Sequence, residues 1–75
     1  MIDQAQLKVG DKVCYQPDYM ARRGEYENGM VKEIPDHTTE AVRVVYNCCG
    51  DWDNYQNYTS ALTNLAMLSL GWKHD

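Results

Sequence analysis

The sequence predicts a mainly β fold, a small barrel of five short strands with one short helical turn before the last strand. Alternating and β-branched stretches recur along the 75 residues, and Gly, Pro, Asn and Asp separate them. A chain of this length buries its core best as one domain, so residues 1–75 are expected to fold together. Closing a sheet on itself leaves few unpaired edges, which favours a barrel.

The chain is predicted to begin with a turn, a strand and a loop. Asp3 is placed to cap a turn that runs through Gln6. The first strand follows over Lys12–Gln16. Pro17 cannot donate a hydrogen bond to a neighbouring strand, so the polar segment Pro17–Glu27 is predicted to be an exposed loop.

Two further strands are predicted before the middle of the chain. The pair Asn28-Gly29 is typical of a turn and is expected to close the loop. Met30–Ile34 follows as the second strand and ends at Pro35. Ala41–Tyr46 is rich in β-branched residues and predicts the third strand. The side chains expected to share its core face, opposite Arg43, are Val42, Val44 and Tyr46.

The segment after the third strand allows two interpretations. Large apolar residues recur every three or four positions, which is typical of an amphipathic helix over Asp51–Met67. Residues of poor helix propensity fill the window before Ser60, however, and favour a fourth strand at Tyr58–Thr63. A single helical turn at Asn64–Met67 and a short fifth strand at Ser69–Trp72 complete this preferred prediction.

Composition argues against several classes of function. Seven Lys and Arg against eleven Asp and Glu give a formal charge of -4, so the basic surface that binds phosphate backbones is missing. The apolar runs are too short to cross a bilayer, and the first residues do not resemble a secretory signal. The cysteines are odd in number and include the adjacent pair Cys48-Cys49, which favours reduced thiols and a cytoplasmic protein.

Three segments resemble parts of small bacterial SH3-like barrels, including the KOW and Tudor relatives. Leu7–Val13 resembles their opening, Asn28–Ile34 their second strand and Leu65–Trp72 their closing turn and strand. The chain also resembles short bacterial and prophage-type open reading frames that end in Leu-Gly-Trp, here residues 70–72. The resemblance covers most of the chain and implies a five-stranded SH3-like barrel without implying a particular activity.

The chain departs from the binding subfamilies of that fold. Where peptide-binding SH3 domains carry an Ala-Leu-Tyr-Asp-Tyr box, this sequence has Tyr-Gln-Pro-Asp-Tyr at 15–19, and Glu40–Val42 stands where they carry a Trp. Recognition of polyproline helices therefore loses its main anchor. RNA-binding KOW domains are basic, whereas the pair Arg22-Arg23 lies among acidic residues. The aromatic residues in stretches comparable to a Tudor cage are Tyr15, Tyr19, Trp52 and Tyr55.

Two loops supply the candidate partner-binding residues. The loop Asn47–Asn57 is long for a compact domain, where connections have a median of about four to six residues. Trp and Tyr are frequent anchors of interfaces, and flanking carboxylates favour a cationic partner. Alternatively, Trp52 and Tyr55 belong to the core or fold back as a lid over the open end of the barrel. The candidate contact residues are Tyr19, Arg22, Arg23, Asp51, Trp52, Asp53 and Tyr55.

The sequence offers no constellation typical of catalysis, metal binding or cofactor binding. A thiol nucleophile needs an adjacent imidazole, and the only histidines are His37, in a predicted turn, and His74, in the tail. Cys48-Cys49 does not match the spacing of a zinc site, and the glycines are too isolated to form a phosphate loop. We therefore expect no enzymatic activity, no metal and no cofactor.

Three functions are consistent with these residues. The first is a noncatalytic protein-interaction module whose aromatic loops, Pro17–Glu27 and Asn47–Asn57, form one face. The second is a phage-type inhibitor of a host or defence protein, whose acidic surface competes for a nucleic-acid site. The third function is a KOW-like RNA-contacting domain that uses Arg22, Arg23, Lys32 and Arg43.

The sequence also allows a homodimer, formed through the fifth strand and residues 70–72.

Overall fold

Five antiparallel strands and a few short helical segments make up the protein, which confirms the mainly β prediction. The computed structural model describes residues 2–46 and 48–73. The strands are β1 (Lys12–Tyr15), β2 (Glu27–Glu33), β3 (Ala41–Val45), β4 (Ala61–Asn64) and β5 (Leu68–Leu70). Their order across the sheet is β4-β3-β2-β1-β5. The helical segments are the α-helical turn α1 (Asp18–Ala21) and the 3-10 segments Gln4–Gln6, Trp52–Asn57 and Leu65–Met67.

The turn predicted at Asp3–Gln6 and the helical turn predicted at Asn64–Met67 are both present, and a side chain caps each of them. The backbone N–H of Asp3 donates to Oε1 of Gln6 at 2.8 Å. At the second turn, the N–H of Ala66 donates to Oδ1 of Asn64 at 2.8 Å. The alternative helix over Asp51–Met67 is wrong, because that stretch contains a kinked 3-10 segment followed by β4.

The pair Asn28-Gly29 lies inside β2, so the turn predicted there is wrong. In the register of the sheet, Gly29 is the partner of Val13 on β1. A Cβ atom on Gly29 would lie 2.6 Å from Cγ1 of Val44 and 2.8 Å from the carbonyl oxygen of Val45. The glycine therefore allows β3 to approach β2 closely, a role that the turn statistics of Asn-Gly do not reveal.

The last two strands are displaced from their predicted positions. The predicted fourth strand, Tyr58–Thr63, begins three residues early, because the carbonyl oxygen of Tyr58 accepts a hydrogen bond from the Lys32 side chain at 2.7 Å instead of joining the sheet. The fifth strand ends before Gly71, whose φ of 80° turns the chain out of the sheet. Trp72, predicted to lie in that strand, therefore leaves it.

The sheet is open in the part of the chain that the structure describes, since β4 and β5 are its two edges and no ladder pairs them. The 3-10 segment Leu65–Met67 joins these two edge strands directly. Strand order and pairing thus establish a five-stranded antiparallel sheet, and its closure into a barrel stays a prediction.

Alternate residues of the strands build the core, as predicted for the third strand. Tyr15, Tyr46, Ile2 and Ile34 pack around the buried cluster. The hydroxyl of Tyr46 shares a hydrogen bond of 2.9 Å with Oγ1 of buried Thr63, which satisfies both polar groups. The buried apolar cluster consists of Leu7, Val13, Val31, Val42, Val44, Leu65 and Leu68.

Candidate functional site

The face of the sheet that points away from the main core cluster, here called the second face, is covered by other segments of the chain. The register places Lys12, Met30 and Val45 in one row across three strands, on the face opposite Val13. Val45 is fully buried although it lies outside the main core cluster. The segment Trp52–Asn57 packs against β2, and the segment that follows β5 returns to the same strand. These two segments determine which aromatic side chains on this face stay accessible to solvent.

Trp72 holds the C-terminal segment, Gly71–Lys73, on the second face. Its indole N–H donates to the carbonyl oxygen of Gly29 at 2.8 Å, and the Nζ atom of Lys12 lies 4.6 Å from the ring centroid. Lys73 is bonded to Asn28 twice, through its N–H at 2.9 Å and through its carbonyl oxygen at 2.8 Å. Trp72, which the sequence suggested for a dimer interface, is therefore engaged within its own chain.

Trp52 packs against Trp72, with ring centroids 4.9 Å apart and ring planes tilted by 52°. Both side chains are half-buried. Together with Lys12 and Asp53 they line a shallow hollow of about 400 Å³, here called the tryptophan hollow. Trp52 thus covers the second face of the sheet. The sequence had suggested that it belongs to the core, forms a lid over the end of a barrel, or contacts a partner.

The length of the loop after β3 has a structural reason, because the loop crosses the sheet. Its far end is attached to β2 where Nε2 of Gln56 donates to the carbonyl oxygen of Lys32 at 3.3 Å. The hydroxyl of Tyr55 packs against Gly10, at the start of β1. The loop therefore spans from the end of β3 to the opposite end of β1, and this path requires many residues.

Asp51 is engaged inside that loop. Its carboxylate accepts hydrogen bonds of 2.9 Å from the hydroxyl of Tyr58 and from Nδ2 of Asn54. The hydrogen bond to Asp51 is the main reason that the pKa of Tyr58 is raised, because it holds the phenol proton. Asp53, by contrast, is exposed.

The other candidate loop places Tyr19 at the opposite end of β1. Tyr19 lies in α1 with 58% of its surface exposed, the highest value among the large apolar side chains that the structure describes. It borders two shallow hollows that it shares with Tyr15. The larger, about 690 Å³ and here called the tyrosine hollow, is lined mainly by Tyr15, Tyr19, Met20, Glu25, Tyr26 and Glu27.

The smaller of these hollows lies between α1 and the turn before β5. Its volume is about 490 Å³, and Arg22 and Met67 line it together with Pro17 and Asp18. Met67 is 42% exposed. This hollow, here called the methionine hollow, joins the loop after β1 to the 3-10 segment Leu65–Met67, which sequence reasoning did not connect with binding.

The pKa values of two phenols at the base of the tyrosine hollow, those of Tyr15 and Tyr46, are raised, so both are uncharged at neutral pH. Desolvation raises the pKa of Tyr15, and neighbouring Tyr19 and Glu27 act in the same direction. Desolvation raises the pKa of Tyr46, whose ring meets that of Tyr15 edge-on at 5.7 Å, to about 12. Tyr15 therefore rests on the core and presents a neutral ring to the hollow.

The predicted contact residues divide between two places instead of forming one set. Tyr19 and Arg22 border the hollows beside Tyr15, the last residue of β1. Trp52 and Asp53 border the tryptophan hollow beside Lys12, the first residue of β1. Arg23 lies 3.7 Å from Glu25 in an exposed ion pair, which contributes little to stability. Met67 and Tyr26 are among the lining residues that the contact prediction missed.

The three thiols differ in burial. Cys14 and Cys48 are buried, and Cys49 is exposed. Burial raises the pKa of the Cys14 thiol, while the Lys73 ammonium and a backbone hydrogen bond from Lys73 act in the opposite direction. His37 is exposed, and His74 lies outside the described residues. Within residues 2–46 and 48–73, no three His, Cys, Asp or Glu side chains are grouped as metal ligands.

Comparisons with known proteins assign no relative to this chain. Protein-family models, curated proteins and solved structures were compared with it, and none matches. Among residues 2–46 and 48–73, no helix has the length and apolar character needed to cross a membrane.

Proposed function

We propose that the protein is a noncatalytic protein-interaction module, built as an SH3-like barrel, that binds a macromolecular partner beside α1. The observation that carries the proposal is the exposure of Tyr19 between two hollows, of which the methionine hollow also exposes Met67. A rigid aromatic ring loses little conformational entropy when it is buried, so exposed Tyr side chains at concave sites are favourable anchors.

The short link between the edge strands supports closure into a barrel. In a flat sheet, the four gaps between five strands would separate β4 from β5 by about 19 Å, at about 4.8 Å per gap. The three residues Leu65–Met67 join them, and a 3-10 segment rises only about 2 Å per residue. The sheet must therefore curl strongly so that its two edges approach each other, as they do in a small barrel.

The position of the methionine hollow supports an interaction through the loop after β1. The backbone N–H of Gln16 donates to the carbonyl oxygen of Met67 at 2.9 Å, which joins this loop to the turn before β5. Asn64 caps that turn, and buried Leu65 anchors it in the core. The floor of the hollow is therefore rigid, so a partner that covers Tyr19 and Met67 has little chain to order.

The RNA-contacting alternative receives less support from the same geometry. Nζ of Lys32 is bonded to the carbonyl oxygen of Tyr58, and Arg43 lies 3.9 Å from Glu33. Arg23 is paired with Glu25. Three of the four cations proposed for RNA thus lie beside an oxygen acceptor of the chain, which lowers the local positive potential, and RNA binding that strengthens steeply at low salt would be needed to restore that alternative.

The proposal is tested by capture from the native host, followed by reconstitution of the complex from purified proteins. Tyr19→Ala is expected to abolish binding without lowering the thermal midpoint, because Tyr19 is exposed. Val9→Ala, at a residue that is 50% exposed outside the hollows, is the matched control and is expected to bind normally. Undiminished binding by the Tyr19→Ala protein would reject the proposed surface.

A further inference from the structure

We infer that the tyrosine hollow receives a cationic side chain, an arginine guanidinium or a lysine ammonium, from the protein partner. This inference rests on the proposed function and names the chemistry of the partner. It follows from the composition of the hollow, from the arrangement of the nearby arginines, and from the position of a lysine of the chain itself beside one of the rings.

The composition of the hollow suits an organic cation. Three phenol rings, those of Tyr15, Tyr19 and Tyr26, line it together with the carboxylates of Glu25 and Glu27. The faces of aromatic rings attract cations, and carboxylates add a direct electrostatic attraction. The two glutamates give the described lining a formal charge of -2, because no Lys, Arg or His among the described residues contributes to it.

The two arginines of the same loop do not neutralise this charge from inside the hollow. Arg22 lines the methionine hollow instead. Arg23 lies 3.7 Å from Glu25 without lining the hollow, and 70% of its side chain is exposed. An exposed pair of this kind is weak and exchanges readily with a competing cation. The carboxylates of Glu25 and Glu27 are therefore available to a partner.

A cation of the chain itself lies beside one of the three rings. The Nζ atom of Lys73 is 5.8 Å from the ring centroid of Tyr26 and 3.1 Å from Oε1 of Gln16. Nε2 of Gln16 in turn donates to the carbonyl oxygen of Glu25 at 2.8 Å. The C-terminal segment thus brings an ammonium group to one of the three rings, the same kind of contact that we infer for the partner's cation.

The same charges select against other classes of ligand. A phosphate group would approach Glu25 and Glu27 in the hollow and Asp18 beside it, so repulsion disfavours nucleic acid. A guanidinium group can stack on a Tyr ring while it donates two hydrogen bonds to one carboxylate. A basic segment of a protein is therefore the occupant that this lining fits.

The experiment is an NMR titration of the full chain with three capped tripeptides, acetyl-Gly-Xaa-Gly-amide, in which Xaa is arginine, lysine or citrulline. Citrulline has nearly the shape of arginine without its charge. Saturable shifts at Tyr19, Glu25 and Tyr26 with arginine or lysine, and none with citrulline, are expected. The stronger of the two cationic peptides identifies the preferred side chain. Equal shifts with citrulline, or no shifts with either cation, would overturn the inference.

Two variants separate the charge of the hollow from the general acidity of the chain. The double variant Glu25→Gln/Glu27→Gln is expected to bind the cationic peptide with an affinity lower by about threefold to tenfold, a range typical of exposed ionic contacts. Glu40→Gln, at an exposed glutamate outside the hollow, is the matched control and is expected to leave the affinity unchanged. Equal affinities for the wild type, the double variant and the control would contradict the inference.

The outcome also distinguishes this inference from the proposed function. A partner whose capture requires Tyr19, together with an absence of peptide shifts, would reject the cationic occupant and leave the interaction module standing. Charge-dependent peptide binding at the tyrosine hollow, with no partner that requires Tyr19, would support the inference about the hollow and count against the proposed function.

Discussion

The indole nitrogen of Trp72 donates a hydrogen bond of 2.8 Å to the carbonyl oxygen of Gly29, and this contact joins the C-terminal segment to the middle of the sheet. Gly29 belongs to β2, which pairs with both β1 and β3. The last described residues therefore contribute to the structure of the central strands, although they follow the last strand of the sheet.

Removing this contact is expected to destabilise the protein. Trp72→Ala removes the hydrogen bond, the packing on Trp52 and the contact with Lys12, and we expect a loss of about 2 kcal/mol because the ring is half-buried. Trp72→Phe keeps a ring and removes the hydrogen-bond donor, so we expect it to lower the free energy of unfolding by about 1 kcal/mol. Urea unfolding measures both changes. A Trp72→Ala protein as stable as the wild type would show that the segment contributes nothing.

A methyl group at position 29 is expected to disturb the centre of the sheet. In Gly29→Ala the new Cβ would overlap Cγ1 of Val44 at 2.6 Å and the carbonyl oxygen of Val45 at 2.8 Å, and overpacking of this kind costs about 1–3 kcal/mol. Gly24→Ala is the comparison, because its Cβ meets nothing within 4 Å and only the φ of 71° opposes it. Urea unfolding should show the larger loss for Gly29→Ala, and the reverse order would contradict the packing seen here.

Stability is expected to fall in alkaline solution. The pKa of Tyr46 is raised from 10.0 to about 12 in the folded protein, so above pH 10 the unfolded chain loses this proton before the folded one. The resulting stabilisation is complete below pH 10 and is lost as the pH rises through about 12. Partial exposure of the ring limits it to about 1–2 kcal/mol.

Urea unfolding at about pH 9 and about pH 11.5 measures this loss, and Tyr46→Phe is the control. The variant lacks the phenol proton and should lose less stability between the two pH values. Tyr15, Tyr58 and Cys14 also have raised pKa values, so part of the alkaline loss should remain. An identical pH dependence in both proteins would show that Tyr46 is not its source.

The three cysteines are expected to differ in reactivity. Cys49 is exposed and should react with iodoacetamide in the native protein, whereas Cys14 and Cys48 should react only after unfolding. Because Lys73 lies beside the Cys14 thiol, Trp72→Ala should speed the labelling of Cys14 in particular. Mass spectrometry of peptides measures each rate. Native labelling of Cys14 as fast as that of Cys49 would contradict its burial.

Local patterns predicted most of the sheet. Alternation in Ala41–Tyr46 correctly identified β3 and its core face, because a strand with one buried face must alternate. The turn at Asn64–Met67 was also predicted, and the structure adds the Asn64 side chain as its cap. Asn28-Gly29 failed because the conformation there depends on the approach of β3, a contact with residues more than a dozen positions away.

The candidate site was less predictable. Tyr19 was identified from its polar surroundings and is exposed, but Met67 comes next to it only through the path of the chain between β4 and β5. Trp52 and Tyr55 are amphipathic residues in a long loop, and their sequence alone cannot tell a binding loop from one that crosses a sheet. The pairing of Trp52 with Trp72 depends on a chain reversal at Gly71, for which an isolated glycine is a weak signal.

The close pairing of Trp52 and Trp72 gives the protein an intrinsic optical reporter. These are the only two tryptophans of the chain, and at 4.9 Å their electronic transitions couple into one circular dichroism signal. Any event that lifts the C-terminal segment from β2 separates the two chromophores and removes that coupling. Release of the segment can therefore be followed spectroscopically without an attached dye, separately from unfolding of the sheet.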